Sequence, residues 1–321
     1  MEIATVVYKK YLASTGVRGK FWAFLRRVLI RLLNDPTCSL PLHGRPLKLP
    51  LSHALPGYLK NYQYYDRLPE RISEYLHQKQ GHLRCIDVGA NIGDSIASFY
   101  KNDMDIFLAI EPNPKFYKFL VANWSWNKNI KSIAIVCSSK SAYGTFTIQE
   151  RNGTASILET ENGTKMTRQP LDAIVNDYPD FMNSNILKID TDGHDFEVIA
   201  GAEKLISSNQ LAVLFECAVF ANDDNYVEDC LNTLKFFQNN GYNYFLLYDN
   251  YGNLMGKYPL SDLSAFRNLL FFQLTSPFYY FDILVMKDAD ISGFYKTEVN
   301  YFVEKMPNKS LQRTAKAAAE L

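Results

Sequence analysis

The sequence predicts an α/β protein, a mostly parallel sheet with helices on both faces, preceded by a helical N-terminal extension. Three observations predict it. Seven short apolar runs recur from residue 83 onward: LRCIDV (83–88), DIFLAI (105–110), SIAIVC (132–137), ILKID (186–190), LAVLFE (211–216), YNYFLLY (242–248) and YFDILVM (280–286). They are apolar at nearly every position, as strands covered on both faces must be. Helix-like stretches separate several of them, and the first runs straight into a glycine turn, the junction at which open parallel sheets bind ligands.

Composition agrees with a packed core. Of 321 residues, 47% are hydrophobic and 21% charged, which separates the chain from disordered sequences. Thirty-four basic residues balance thirty-four acidic ones, so no global field attracts nucleic acid and none is expected as a partner. The five cysteines (Cys38, Cys85, Cys137, Cys217 and Cys230) are odd in number and contain no C-x-x-C, which speaks against a disulfide framework or zinc ribbon and for a reducing, cytoplasmic setting. No run approaches the roughly 18 apolar residues of a membrane span, and the start lacks the pattern of a signal peptide.

Taken in order, residues 1–80 read as the extension and a Pro-rich linker. Gly16 to Leu33 is a basic amphipathic helix, with Phe21, Phe24, Leu25, Val28, Leu29 and Leu32 at helical spacing beside Arg27 and Arg31. Its apolar face suits either packing on the main domain or peripheral contact, through residues 17–33, with the inner face of an anionic membrane. The stretch CSLPLHGRPLKLPLSHALPG (38–57) is too rich in Pro and Gly for long regular structure and reads as a linker or irregular lid. Tyr58 to Gln80 resumes as helix, and residues 81–307 form the main domain. Tyr143–Gln149 and Thr154–Leu158 read as short edge strands. Residues 308–321 lack apolar periodicity and are expected to be a disordered tail.

The strongest local signal is CIDVGANIGD (85–94), an apolar strand ending in Asp87 and then a tight turn through Gly89 and Gly93, with Ala90 and Asn91 between them and Asp94 after it. Glycines allow close approach of backbone to ligand and a sharp entry into the next helix. Asn91 and Asp94 occupy the second and third glycine positions of a dinucleotide fingerprint, and no phosphate loop occurs anywhere. Acids here would repel a pyrophosphate and suit a cationic ligand. The second half of the signal is IFLAIEPNP, where Glu111 ends the next strand and Pro112 comes directly after it. Glu111 lies 24 residues after Asp87 (111 − 87), near the spacing at which a carboxylate receives a ribose diol.

With these residues the chain resembles the class I S-adenosylmethionine-dependent methyltransferases, and within them the FkbM family. The resemblance covers roughly Cys85 to Tyr248, with weaker similarity at His53–Pro56 and Tyr64–Asp66. Its carriers are Asp87, Gly89, Ala90, Asn91, Gly93 and Asp94; Glu111, Pro112 and Asn113; Gly144; Leu171 and Asp172; Leu187 to Asp190 with Gly193; and Glu216. It implies a Rossmann-like seven-stranded sheet, S-adenosyl-L-methionine as cofactor, and methyl transfer to a hydroxyl of a glycan or secondary metabolite. Family members usually carry Glu where this chain has Asp192 and Asp195, so each carboxylate here is one methylene shorter.

The segment LKIDTDGHDFEVIAGA (187–202) is a strand ending at Asp190, a turn with Asp192 and Gly193, and a helix beginning near Asp195. Asp190, Asp192, His194 and Glu216 are therefore the candidates for the base that takes the acceptor proton. The same acids could instead hold a divalent cation, although no metal-ligand set is assigned. Acceptor recognition falls to His43–Tyr65 and Tyr251–Pro277, both rich in aromatics. A binding or scaffold protein of the same fold that lacks catalysis stands as the alternative. The sequence leaves the oligomeric state open.

Overall fold

The computed structural model describes residues 2–151, 153–159, 163–209, 211–218, 224–276 and 280–319. It opens with α1 (Glu2–Ala13) and α2 (Gly16–Leu32), which pack on one another. The predicted helix at Gly16–Leu33 is present as α2. α1 buries Ala4, Val7 and Tyr8, and the Tyr8 hydroxyl donates to the His53 carbonyl. α2 is tied down by Arg26, whose Nε donates to the Leu51 carbonyl at 2.8 Å and whose guanidinium lies 4.4 Å from the Tyr8 ring centroid.

The stretch read as an irregular linker is instead an antiparallel hairpin of β1 (Thr37–Leu42) and β2 (Arg45–Pro50). His43 and Gly44 both take positive φ (47° and 74°), the conformation of a two-residue hairpin turn. Cys38, Leu40, Leu42, Leu47 and Leu49 are buried, while Pro41 and Pro46 are exposed. A two-stranded sheet has free edges, so the missing proline N–H groups cost little. The expected helix over Tyr58–Gln80 is split into α3 (Leu55–Asn61) and α4 (Leu68–Gln80). α4 stops at Gly81, whose φ of 75° makes a left-handed cap. Arg71 on α4 makes a buried two-point ion pair with Glu298, which fastens α4 to the C-terminal part of the chain.

The body begins with β3 (Arg84–Val88), α5 (Asp94–Phe99), β4 (Ile106–Ile110), α6 (Pro114–Trp124) and β5 (Ile130–Ile133). Asn113 caps α6 by accepting from the backbone N–H groups of Lys115 and Phe116, with Pro114 at the first helical position. The run 132–137, expected as one strand, is divided: β5 stays in the main sheet and β6 (Val136–Cys137) enters a second one. There β6 pairs in parallel with β9 (Thr164–Gln169), and β7 (Ala142–Arg151) pairs antiparallel with β8 (Thr154–Glu159) and β9.

The chain returns through α7 (Leu171–Asp177), β10 (Ile186–Ile189), α8 (Asp195–Ala200), α9 (Glu203–Ser208), β11 (Ala212–Cys217) and α10 (Tyr226–Asn239). It closes with β12 (Tyr244–Asp249), β13 (Leu254–Pro259), α11 (Ser264–Thr275), β14 (Phe281–Val285), α12 (Asp288–Glu304) and α13 (Lys309–Ala318). The strand order is β13-β12-β14-β11-β10-β3-β4-β5. Neighbours from β11 to β5 are parallel, and β14 is antiparallel to both β11 and β12. The seven expected strands are all present, and β13 adds an eighth at the edge.

Alternation within the strands shows that both faces are covered. Cys85 and Phe107 enter one apolar core, while their chain neighbours Ile86 and Leu108 enter the other. At the C-terminus, Lys309–Ala318 is helical where a disordered tail was expected; it is capped by Asn308 and buries no residue. Among the described residues no helix is long and apolar enough to cross a membrane.

Candidate functional site

The strand order reverses between β3 and β10, which makes their carboxyl ends the switch point at which such sheets bind ligands. The two ends are pressed together there. A Cβ on Gly89 would sit 1.8 Å from the Asp190 carbonyl oxygen, and Gly89 itself has φ 82°, so only glycine fits. The turn is fixed from the other side by β4: the N–H groups of Gly89 and Ala90 both donate to the Ile110 carbonyl, at 2.9 and 3.1 Å.

Glu111 follows β4 and lies against this turn. Its Oε2 accepts from the Asn91 N–H at 2.8 Å and its Oε1 from the Asn113 N–H at 2.7 Å. Burial pushes its carboxyl up to about 7, with those two N–H groups pulling the other way. Each oxygen uses one lone pair on the backbone, leaving acceptor capacity for a diol. Asn91, at φ 48°, also donates from Nδ2 to the Gly153 carbonyl at 2.7 Å, which holds the turn between β7 and β8 over the glycine turn.

These ends open on a cavity of about 820 Å³. Gly89, Asn91, Asp94, Glu111 and Pro112 line it, as do Asp190, Asp192, His194 and Glu216. The sequence-derived residues from four strand ends are thus brought together in one place. Three others stand behind the wall. Asp87 and Ala90 are fully buried. Gly93 lets α6 close in: Trp124 Nε1 donates to its carbonyl at 2.9 Å, and a Cβ there would be 2.3 Å from that nitrogen. These residues shape the turn rather than face the cavity.

A buried lysine organises the acids. Lys188, in the middle of β10, places Nζ 2.9 Å from Asp190 Oδ2 and 3.7 Å from Asp87 Oδ1. Burial pushes Asp87 up to about 6 even with Lys188 beside it. Asp195 is a structural clamp: Oδ2 accepts from the N–H and hydroxyl of Thr191, and Oδ1 from the Glu216 N–H at 3.0 Å. It thereby fixes the 191–195 turn against β11. Asp172, one of the residues that carry the family resemblance, accepts from the N–H groups of Lys204 and Leu205 and so belongs to the helix scaffold.

Glu216 differs from Asp190. Its Oε2 is buried and has no hydrogen-bond partner among the described residues. Burial, with Asp190, Asp195 and Asp282 nearby, pushes its carboxyl well up. Asp282 stands opposite it in the β11–β14 register, and burial pushes that carboxyl to about 8. Asp282, Lys188 and the lining residues Asp66 and Tyr280 received no role from sequence reasoning. A signal for two of them existed: a charged residue inside a strand that is otherwise apolar needs a buried partner. Among the described residues, no group of three or more His, Cys, Asp or Glu is arranged to hold a metal ion.

Tyrosines form the cavity's outer wall. Tyr62 and Tyr251 lie with ring centroids 4.4 Å apart, and Tyr58 and Tyr65 5.2 Å apart. The β12–β13 turn reaches this wall through Gly252, where a Cβ would be 2.3 Å from the Tyr64 carbonyl oxygen. Both acceptor regions named from sequence thus contribute to one wall, with Pro277 outside the described residues.

The strand order, with its antiparallel β14 between β11 and β12, and the acidic switch point define a Rossmann-like methyltransferase fold. The family model for the methyltransferase FkbM domain matches residues 87–244. The chain carries a domain of the FkbM methyltransferase family. No curated protein matches it. Among solved structures it is similar to the methyltransferase FkbM from Methylobacillus flagellatus KT, at 14% identity and TM-score 0.34, over 57% of this chain and 52% of that one. The match thus spans about half the length of that protein. It is also similar to putative transferase PH0793 from Pyrococcus horikoshii (13% identity, TM-score 0.38, 84% and 86% of the two chains). A third is M. jannaschii TYW2 in complex with AdoMet (12% identity, TM-score 0.36, 78% and 85%).

Proposed function

We propose that the chain is an S-adenosylmethionine-dependent O-methyltransferase whose acceptor is a hydroxyl of a sugar or glycan. Charge carries this reading. Seven carboxylates line the cavity (Asp66, Asp94, Glu111, Asp190, Asp192, Glu216 and Asp282) against one lysine, Lys188. A pyrophosphate ligand would be repelled, whereas an ammonium and a sulfonium on one nucleoside are attracted. Glu111 suits the ribose diol, and Asp94 Oδ1, buried and without a hydrogen-bond partner among the described residues, suits the ammonium.

When bound, S-adenosylmethionine supplies a methyl group on a positively charged sulfur. Transfer to an acceptor hydroxyl would form an oxygen–carbon bond as the carbon–sulfur bond breaks with its electron pair left on sulfur, and would require a carboxylate of this chain to take the hydroxyl proton. Glu216 is suited to that task, because a carboxylate raised toward neutrality accepts a proton more readily than an ordinary one. Asp190, paired with Lys188, is suited to orienting rather than to taking a proton. His194 and Asp192 border the site and are suited to polar contacts with the acceptor. The tyrosine wall offers flat faces on which sugar rings stack.

The test uses methyl-labelled S-adenosylmethionine with a panel of free sugars and glycans. Label should appear on acceptor oxygen. Glu216→Gln should lower kcat by about 10²–10⁴ while shifting S-adenosylmethionine affinity by less than roughly threefold. Label on nitrogen or carbon would sink the O-methylation reading. Equal losses in turnover and cofactor affinity would move Glu216 out of the base role.

A further inference from the structure

The sequence left α2 with two uses for one apolar face. The structure separates its faces. At about 100° per residue, Trp22, Arg26, Leu29 and Ile30 point one way. These make the inward side, where Arg26 reaches the Leu51 carbonyl and Leu29 and Ile30 pack on the core. Val17, Phe21, Phe24, Val28 and Leu32 point the other way, at spacings of four, three, four and four. Val17 is 86% exposed, Phe21 57%, Phe24 60% and Leu32 75%. α2 buries no residue at all.

An exposed apolar stripe of this length requires a covering partner. Its flanks identify the chemistry. On the helical projection Lys20, Arg27 and Arg31 run along one edge of the stripe and Arg18 along the other. All four are exposed, and none pairs with a carboxylate among the described residues. From Glu2 to Leu33 the chain has seven basic residues and a single acid, Glu2, although its total charge is zero, so the remainder of the molecule is net acidic. Such a dipolar molecule approaches an anionic surface with this end first.

We propose that α2 is an interfacial helix that docks the protein on an anionic lipid bilayer. Phe21, Phe24 and Leu32 insert among the acyl chains near the headgroups, and Lys20, Arg27 and Arg31 contact the lipid phosphates. The inward face stays on the β1–β2 hairpin side, so docking requires no unfolding of the α1–α2 unit. This inference does not depend on the methyl acceptor or on cofactor binding.

Co-sedimentation of the full chain with vesicles tests it. The protein should pellet with phosphatidylcholine vesicles containing phosphatidylserine and remain in solution with phosphatidylcholine alone. Binding should fall by about tenfold or more as salt is raised toward 1 M, because the Debye length shrinks to about 3 Å. Phe21→Ser/Phe24→Ser should weaken binding by about tenfold or more with an unchanged melting temperature, since both side chains are exposed. Lack of binding to anionic vesicles at low salt would overturn the proposal, as would unchanged binding by the double variant. A concentration-dependent dimer in sedimentation velocity, lost in the same variant, would also overturn it by assigning the stripe to a second copy.

Discussion

At the scale of single residues, the site is defined by carboxylates held away from water with too little positive charge among them. Burial pushes Asp87 up to about 6, Glu111 to about 7 and Asp282 to about 8. A cationic ligand favours their ionised forms, so its binding should lower these values and release protons near neutrality. The sign is definite: affinity for S-adenosylmethionine should rise between about pH 6 and pH 8, and calorimetry near pH 7 in buffers of different ionisation enthalpy should detect net proton release. S-adenosylhomocysteine, whose sulfur is uncharged, should release fewer protons. Heats independent of buffer would remove the electrostatic account. Residue by residue, much of this site was legible. Gly89 and Glu111 were found because a turn glycine and a strand-end acid have fixed spacing. Asp282 was not, since its meaning depends on standing across from Glu216 in an antiparallel pair, a relation that sequence separation hides.

At the scale of elements, α4 and α12 are joined by an ion pair that crosses most of the chain. Arg71 Nε is 2.6 Å from Glu298 Oε1 and Nη2 is 2.9 Å from Oε2, and the Tyr248 hydroxyl donates to the same carboxylate at 2.9 Å. Arg71→Met would leave the fully buried Glu298 without its cation, at a cost of about 3–5 kcal/mol. Denaturant unfolding should show that loss, and the double variant Arg71→Met/Glu298→Leu should recover much of it. A single-variant loss below about 1 kcal/mol would mean that the pair does not fasten α4 to the body. The β1–β2 hairpin shows why other elements escaped reading. Its prolines suggested irregularity, yet Cys38, Leu40, Leu42, Leu47 and Leu49 alternate around a His43-Gly44 turn, a period-two pattern that outweighs proline where strand edges are free. β13 was obscured similarly, by Gly256, Lys257 and Pro259 on an edge strand. For α2, periodicity located the helix, but the choice of which face packs depended on Arg26 reaching Leu51, a contact between distant parts of the chain.

At the scale of the whole molecule, one sheet does two jobs. Its parallel half creates the switch point, and its antiparallel half delivers Asp282 and the Tyr251 turn to the same cavity. Two apolar cores sandwich the sheet, so the site rests on rigid strand ends while the tyrosine wall closes it from the α3–α4 side. The central claim is that this cavity binds S-adenosylmethionine through Glu111. The most direct measurement is calorimetric titration of that compound into the wild-type chain and into Glu111→Ala, with melting temperatures compared in parallel. The account predicts one-to-one binding to the wild type and a loss of about 1.5–3 kcal/mol in the variant, roughly tenfold to a hundredfold in Kd. Absence of binding to the wild type, or equal affinity in a properly folded variant, would contradict it.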